Sequence, residues 1–368
     1  MSITALPTVI LAIALVPGLG SEPASVFAGV TVPPGFRATL IDPTVASNSF
    51  IVAGTPARGF NADVYLTLPS AQQIVSVDIG ASEQPFASFA GLIRSGPGLG
   101  PFWPTIDAIG NYGGDMFVDD DKPGTNDAIW RVSPAGTATL FSVNASGAWD
   151  NDALAFDTVG VFGGDLFLVD GASASLYRFQ PDGSKVQFAT GIPDTSGGMA
   201  FSASGALAAG AYIVNAPQMR IYFVGANHVE GASSTIFTNL NVAATSLRVA
   251  PAGAFTYAGL YAAVPSQGQI VRVGSGGSND GAFVAGLPGS SMDCAFSADG
   301  TRLWIRAGTE LWLVECAGAA GDFNGDCAVN ATDLAILLGA WGGAGGDLND
   351  DGITNAADLG ILLGAWTG

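Results

Sequence analysis

The chain has one histidine, three cysteines and only 12 lysines and arginines in 368 residues. With one His and no Cys-x-x-Cys, zinc and iron–sulfur centres lack their usual ligands. Neither Gly-x-Ser-x-Gly nor His-Glu-x-x-His occurs, and His228, in Gly225-Ala-Asn-His228-Val-Glu230-Gly, has no nucleophile motif beside it. It reads as a surface turn residue, and quinoprotein chemistry, which leans on several residues including His, is disfavoured with it. The 31 acidic residues outnumber the basic ones and leave a net charge of −19. That sign argues against nucleic acids and anionic lipid surfaces, which need clustered Lys and Arg. Glu, Lys and Gln are scarce while Gly reaches 52, a composition of short strands and turns.

Long apolar runs are also missing, with one exception. Ile3 to Leu19 is apolar and uncharged and is followed by the small-residue stretch Gly20 to Ala28. This predicts a secretory signal over residues 1–28, cleaved near Ala28. Its n-region carries no Lys or Arg, so an uncleaved anchor is the alternative, although the run is short for a spanning helix. The mature chain is expected to be secreted, free or attached to the cell surface, with no transmembrane span.

What is present is concentrated at the C-terminus. Two near-copies of one loop lie 25 residues apart, from Asp322 to Asp333 and from Asp347 to Asp358. Oxygen side chains fall at loop positions 1, 3, 5, 9 and 12: Asp322, Asn324, Asp326, Asn330 and Asp333, then Asp347, Asn349, Asp351, Asn355 and Asp358. Ala328 and Ile353, at position 7, would each offer a backbone carbonyl. Ca²⁺ takes six to eight oxygens, and this spacing wraps one loop around one ion, so two Ca²⁺ ions are predicted in the tail. After each loop a Leu-rich segment ends in Gly-Ala-Trp.

Over roughly residues 316–368 the tandem resembles a type I dockerin of the GC type, a module that plugs secreted proteins into a cohesin partner. The resemblance implies a small helical, EF-hand-like domain over 322–368 behind a linker at 316–321, with a single helix after each loop. It also implies a cohesin-like or other extracellular partner. Asp333 and Asp358 at position 12 fit dockerins, where ordinary EF-hands prefer Glu. Three features depart from the pattern. Cys327 replaces the position-6 Gly that Gly352 keeps, Ala331-Thr332 and Ala356-Ala357 replace the usual Ser-Thr, and the basic pair of the dockerin helix is absent. Because a non-Gly residue at positive φ is costly, the first site is expected to be the weaker or to have an altered turn. The stripe Leu334, Leu337, Leu338, Trp341 and its twin Leu359, Leu362, Leu363, Trp366 would form the small core, with Leu338, Trp341, Leu363 and Trp366 also candidates for a docking face.

An oxidising compartment allows one disulfide and one leftover thiol among Cys294, Cys316 and Cys327. Cys316–Cys327 would pin the tail to the last strand, and Cys294–Cys316 would staple the final sheet. The odd placement of Cys327 within its loop favours the former.

Between Gly29 and Glu315 an apolar strand, a Gly-rich turn, an aromatic strand, a second turn and another apolar strand recur. The clearest copies are Gly114-Asp115-Met-Phe117-Val118-Asp119 with Ile129-Trp130-Arg131-Val132, and Gly164-Asp165-Leu-Phe167-Leu168-Val169-Asp170 with Leu176-Tyr177-Arg178-Phe179. Tyr65, Phe117, Phe167, Tyr212, Tyr261 and Trp304 mark six copies at intervals of 52, 50, 45, 49 and 43 residues. Modules of this length with period-2 strands predict a mainly β chain, a six-bladed β-propeller over 29–315, with a sandwich or β-solenoid as alternative. Phe36 to Leu40 would complete the last blade. The rhythm is similar to that of the NHL and lactonase-like propellers.

Functional groups of propellers gather where the innermost strands enter the channel. Module alignment puts there Trp103 with Asp107, then Trp149, Asp150, Asn151 and Asp152, and later Ser196 with Met199, Ser246 with Arg248, and Ser291 with Asp293. Asp107, Asn151, Asp152 and Asp293 are candidates for a divalent-metal site that would activate water, as the lactonase resemblance implies. Asp and Asn are equally the ordinary turn residues of such loops. Asp119, Asp120, Asp121 and Asp170 read as solvated turn residues. The sequence therefore favours a secreted propeller that binds or displays, tethered through a calcium-loaded tail. The alternative is a secreted hydrolase, lactonase-like or acting on polysaccharide, and a carbohydrate or other small ligand in the propeller suits either; a purely structural surface protein is a third reading.

Overall fold

The computed structural model describes residues 29–367 except 48, 93–101, 121–126, 144–150, 194–196, 204, 252–254, 256, 258 and 290. The expected signal segment therefore lies outside the described residues. Among them are six sheets of four antiparallel strands each, which form the blades of a propeller. The innermost strands of blades 1 to 6 are Ile51–Thr55, Thr105–Ile106, Asn151–Phe156, Met199–Ser202, Ser246–Val249 and Met292–Phe296.

Chain order runs outward in blades 1 to 5, and blade 6 is closed from the other end. Its fourth strand is Phe36–Asp42, which pairs antiparallel with Glu310–Cys316 from Phe36 opposite Cys316 to Asp42 opposite Leu311. The expected closure by Phe36 to Leu40 is thus in place, and it joins the two ends of the ring without leaving a long open edge.

The aromatic markers hold one position in the fold. Tyr65, Phe117, Phe167, Tyr212, Tyr261 and Trp304 all lie on the second strand of their blade, opposite Val52, Thr105, Ala155, Ala200, Arg248 and Ala295 of the innermost strand. Alternation along a strand sends neighbouring side chains to opposite faces, and a blade is packed on both. In blade 2, Met116 and Val118 pack with Tyr65 of blade 1, whereas Phe117 packs with Leu154 and Leu166 of blade 3. Six apolar clusters result, one between each pair of adjacent blades.

The tail carries two helices, α1 (Ala331–Gly339) and α2 (Ala356–Gly364). Each starts at a capping box: Asn330 accepts from Thr332 N and Asn355 from Ala357 N, while Asp333 and Asp358 reach back to the N-cap amides. A separate cluster centred on Val329, Leu337 and Leu362 holds the two together. The connections are reciprocal, since Thr367 N donates to Val329 O and Gly342 N donates to Thr354 O. No helix among the described residues is long and apolar enough to cross a membrane.

Candidate functional site

The six innermost strands surround a cavity of about 350 Å³ on the propeller axis. Its wall includes Trp103, Ile106, Leu154, Phe156, Met199, Phe201 and Phe296 and, among the described residues, no carboxylate. Val52, Thr105, Ala155, Ala200, Arg248 and Ala295, equivalent by register, all line it. Thr105 Oγ1 accepts from Phe156 N, tying blade 2 to blade 3 at this level.

The expected metal cluster of Asp107, Asn151, Asp152 and Asp293 does not assemble from the carboxylates that can be placed. Asp107 follows the innermost strand of blade 2, and its carboxylate accepts from the amides of Gly110, Tyr112 and Gly114 at 2.7, 2.6 and 3.0 Å. Asp157 does the same one blade later, accepting from Phe162 N and Gly164 N. The two belong to one repeated turn, Asp-x-x-Gly-x-Tyr/Phe-Gly-Gly-Asp, beginning at 107 and at 157. Asp293 is equivalent by register to Trp103, four residues earlier along the strand than Asp107. That is a separation of roughly 13 Å along the axis, too far to share an ion. Asp293 is itself committed, with Oδ2 accepting from Ile51 N and Oδ1 from Cys294 N and Arg248 Nη2. The side chains of Asn151 and Asp152 lie outside the described residues, as do Trp149, Asp150 and Ser196.

Other acidic residues are also structural. Asp119, Asp120 and Asp170 are buried and not solvated as their sequence context suggests, while Asp121 is outside the described residues. Asp120 accepts from Ala128 N and from Trp130 Nε1, both at 2.7 Å. The turn that ends in Asp115 or Asp165 is clamped by Arg131 or Arg178. Tyr112 OH donates into the same region, to Phe179 O at 2.6 Å, and its burial pushes the phenol well above its ordinary range. Ser246 Oγ lies 3.9 Å from Cys294 Sγ, and Ser291 donates to Ser47 O. His228 packs on Phe188 at 5.3 Å between ring centres.

The tail loops present the other candidate site. In the first, Asp322 accepts from Gly325 N, Asp326 N and Cys327 N, and Asp333 from Phe323 N, Asn324 N and Asn330 N. In the second, Asp347 accepts from Asp351 N and Gly352 N, and Asp358 from Leu348 N, Asn349 N and Asn355 N. Each chain segment is therefore curled around its own first and last carboxylates. Asn324 Nδ2 donates to Asp326, and Asn349 Nδ2 to Asp351, which keeps the position-3 and position-5 groups adjacent. Hydrogen bonds from Asn349 and Ile353 hold Asp351 below the usual carboxylate range. The Asn355 amide foremost, with those of Leu348 and Asn349, does so for Asp358. Asp322, Asp326 and Asp333 bring one oxygen each to within 4.8 Å of one another, the one such group among the described residues. Ala328 and Ile353 occupy the seventh position of each loop, with the Ile353 carbonyl accepting from Asn355 Nδ2 at 3.0 Å.

Cys327 takes φ +65°, matching the +90° of Gly352, so the turn is kept and not altered. It is held there by a disulfide to Cys316, at the end of the last propeller strand, with the Cα atoms 4.9 Å apart. Cys327 is buried against blade 6, with Trp312 and Val314 in the same cluster. Gly35 admits the loop, since a Cβ there would lie 1.7 Å from Cys327 O. The remaining thiol, Cys294, is buried in the last blade and pushed up to about 12 by desolvation.

The apolar stripe divides. Leu337 and Leu362 are buried, whereas Leu338, Trp341, Leu363 and Trp366 are exposed at 51, 50, 52 and 38%. Leu338 and Leu363 are a matching pair on the two helices, and Trp341 and Trp366 a matching pair just beyond the helix ends.

No protein-family profile matches the chain, and no curated protein does. Solved structures match in fold. A gluconolactonase from Xanthomonas campestris is 14% identical, with a TM-score of 0.58 over 78% of this chain and 95% of its own. A calcium-binding protein, regucalcin, from Agrobacterium tumefaciens is 14% identical, with a TM-score of 0.54 over 78% and 97%. A streptogramin B lyase is 13% identical, with a TM-score of 0.50 over 76% and 98%. At these identities the likeness is one of architecture, the six-bladed propeller.

Proposed function

We propose that the chain is a secreted propeller that binds or displays, held to an extracellular or cell-surface protein through a dockerin-like, calcium-loaded tail. The observation that carries this reading is the close approach of Asp322, Asp326 and Asp333 in a loop whose backbone is already curled about them. Three carboxylates, two Asn side chains and a backbone carbonyl form a hard oxygen donor set that suits Ca²⁺ and not a softer metal. Asp322, Asn324, Asp326, Ala328, Asn330 and Asp333 would hold one ion, and Asp347, Asn349, Asp351, Ile353, Asn355 and Asp358 the second. The exposed pairs Leu338/Leu363 and Trp341/Trp366 supply a duplicated apolar face that a partner could meet in either of two orientations.

The alternative, a metal-dependent hydrolase with its site in the channel, has the shared fold behind it, but no carboxylate among the described residues lines the channel cavity. Calorimetric titration of the whole chain with Ca²⁺ is expected to give two sites, and capture of a partner from the producing cell's surface fraction should require Ca²⁺. A chain that takes up no Ca²⁺ at millimolar concentration ends the tether reading. A divalent ion retained by the body after the tail is stripped would revive the hydrolase.

A further inference from the structure

Among the described residues, Arg248 is the one charged residue lining the channel cavity. It occupies the register position that the other five blades fill with the small or apolar residues Val52, Thr105, Ala155, Ala200 and Ala295, all of which line the same cavity. Only two of its five N–H donors have protein partners among the described residues. Nη2 donates to Asp293 Oδ1 at 3.1 Å and Nη1 to Leu247 O at 2.8 Å. Glycine at 198 leaves room for both the neighbouring strand and the head group, because a Cβ there would lie 2.7 Å from Leu247 N and 3.0 Å from Nη1.

Charge balance points the same way. Asp293 is the carboxylate whose charge the buried Arg306 also feels. Arg306 itself bonds only to neutral oxygens, Ser47 O, Ser291 O and Ser291 Oγ. Among the described residues, two guanidiniums thus share one carboxylate at this end of the channel. A buried excess of positive charge is costly unless an anion offsets it.

We propose that the channel binds a small apolar monocarboxylate, with its carboxylate on the open donors of Arg248 and its hydrocarbon body against Trp103, Ile106, Phe156, Phe201 and Phe296. Arg presents a planar fork that matches a carboxylate, and a mostly apolar pocket with one fixed polar group is the ordinary form of a small-molecule site. A cavity of about 350 Å³ is at the small end of such pockets and suits a ligand of that kind over a sugar, which would leave its hydroxyls unpaired on this wall. Asp293, anchored by two backbone amides, positions the guanidinium. The inference deepens the binding role given to the propeller and is independent of the tail.

The test is calorimetry on the full chain with hexanoate and phenylacetate, with hexanol and acetate as controls, each with and without EGTA. Both larger acids are expected to bind, with hexanol and acetate each weaker by about tenfold or more, and with EGTA making no difference. Arg248→Gln should abolish the preference for hexanoate over hexanol. Ala155→Phe, which fills the cavity and leaves Arg248 in place, should abolish binding of both, so the test survives a poorly folded Arg248 variant. Equal binding of hexanol and hexanoate, or hexanoate binding unchanged in either folded variant, overturns the proposal. Calcium binding by the tail is read in a separate titration, so the two ideas fail separately.

Discussion

In the propeller, an apolar cluster fills each of the six gaps between blades, whereas in the tail the fully buried apolar side chains are Val329, Leu337 and Leu362. A unit of some 50 residues cannot exclude enough water to order itself by burial alone. Its carboxylates sit close together without a single lysine or arginine from Asp322 onward. The contrast teaches that the two parts are stabilised by different forces. The body is held by apolar area and by carboxylates such as Asp107 and Asp157 that staple turns. The tail is expected to be held by metal–oxygen bonds that offset repulsion among its own acids.

Chelation should separate the parts most sharply. With EGTA, or with Asp322→Ala and Asp347→Ala together, the tail is expected to lose its helices while the body keeps its sheets, because binding and folding are coupled at such sites. Limited proteolysis followed by mass spectrometry checks this, with cleavage expected only C-terminal to Cys316. Cleavage within the blades at the same rate would show that the body also depends on the ion.

The reverse perturbation is Trp304→Ala. This fully buried side chain lies between blades 6 and 1, with Leu311, Val64 and Leu66 in the same cluster. Its removal should cost about 3–5 kcal/mol. Denaturant unfolding should register the loss in the body transition, with the number of calcium ions bound unchanged.

The module rhythm made the body legible because period-2 strands and a repeat near 50 residues leave few other ways to bury both faces of a sheet. The six aromatic markers indeed share one register position. The channel was not legible at Asp107. An Asp that stitches a turn and one that holds a metal look alike until the amides three, five and seven residues on are placed. The clue was present in the turn spelled out twice, at 107 and 157. Burial of Asp119, Asp120 and Asp170 and the isolation of Arg248 in its ring depend on how blades meet, which no local pattern records. The tail loops were legible because their spacing is the coordination geometry. The sequence pattern flags Cys327 as strained, and the strain is answered by a partner 11 residues away.

That bridge makes the two loops a comparison within the comparison. Removing it with Cys316→Ser and Cys327→Ser leaves a Ser at φ +65° without its covalent tie to the last strand. The loss is expected to be about 2–4 kcal/mol and to fall on the first loop. Calcium titration should show one weakened site and one unchanged, the latter being the loop that contains Gly352. Pairing Cys316→Ser with Cys327→Gly should recover most of the affinity, since glycine adopts the turn freely. Recovery would assign the defect to the turn, and persistent weakness would assign it to the lost anchor on blade 6.

The smallest effect is expected at Cys294, and it reports on the body alone. Desolvation pushes its thiol up to about 12, so the fold accepts the neutral form and disfavours the thiolate. The unfolded chain would ionise it near pH 8.5. Between these values the unfolded state releases a proton that the folded state retains, so stability is unaffected below about pH 8.5 and declines as pH rises from there toward the folded value. Cys294→Ala should flatten that decline. At pH 8, iodoacetamide should leave Cys294 unmodified in the native chain, with calcium or with EGTA, and modify it fully in denaturant. Labelling that appears on chelation alone would mean that loosening the tail also opens blade 6, and the two regions would then be one cooperative unit joined through Cys316 and Cys327.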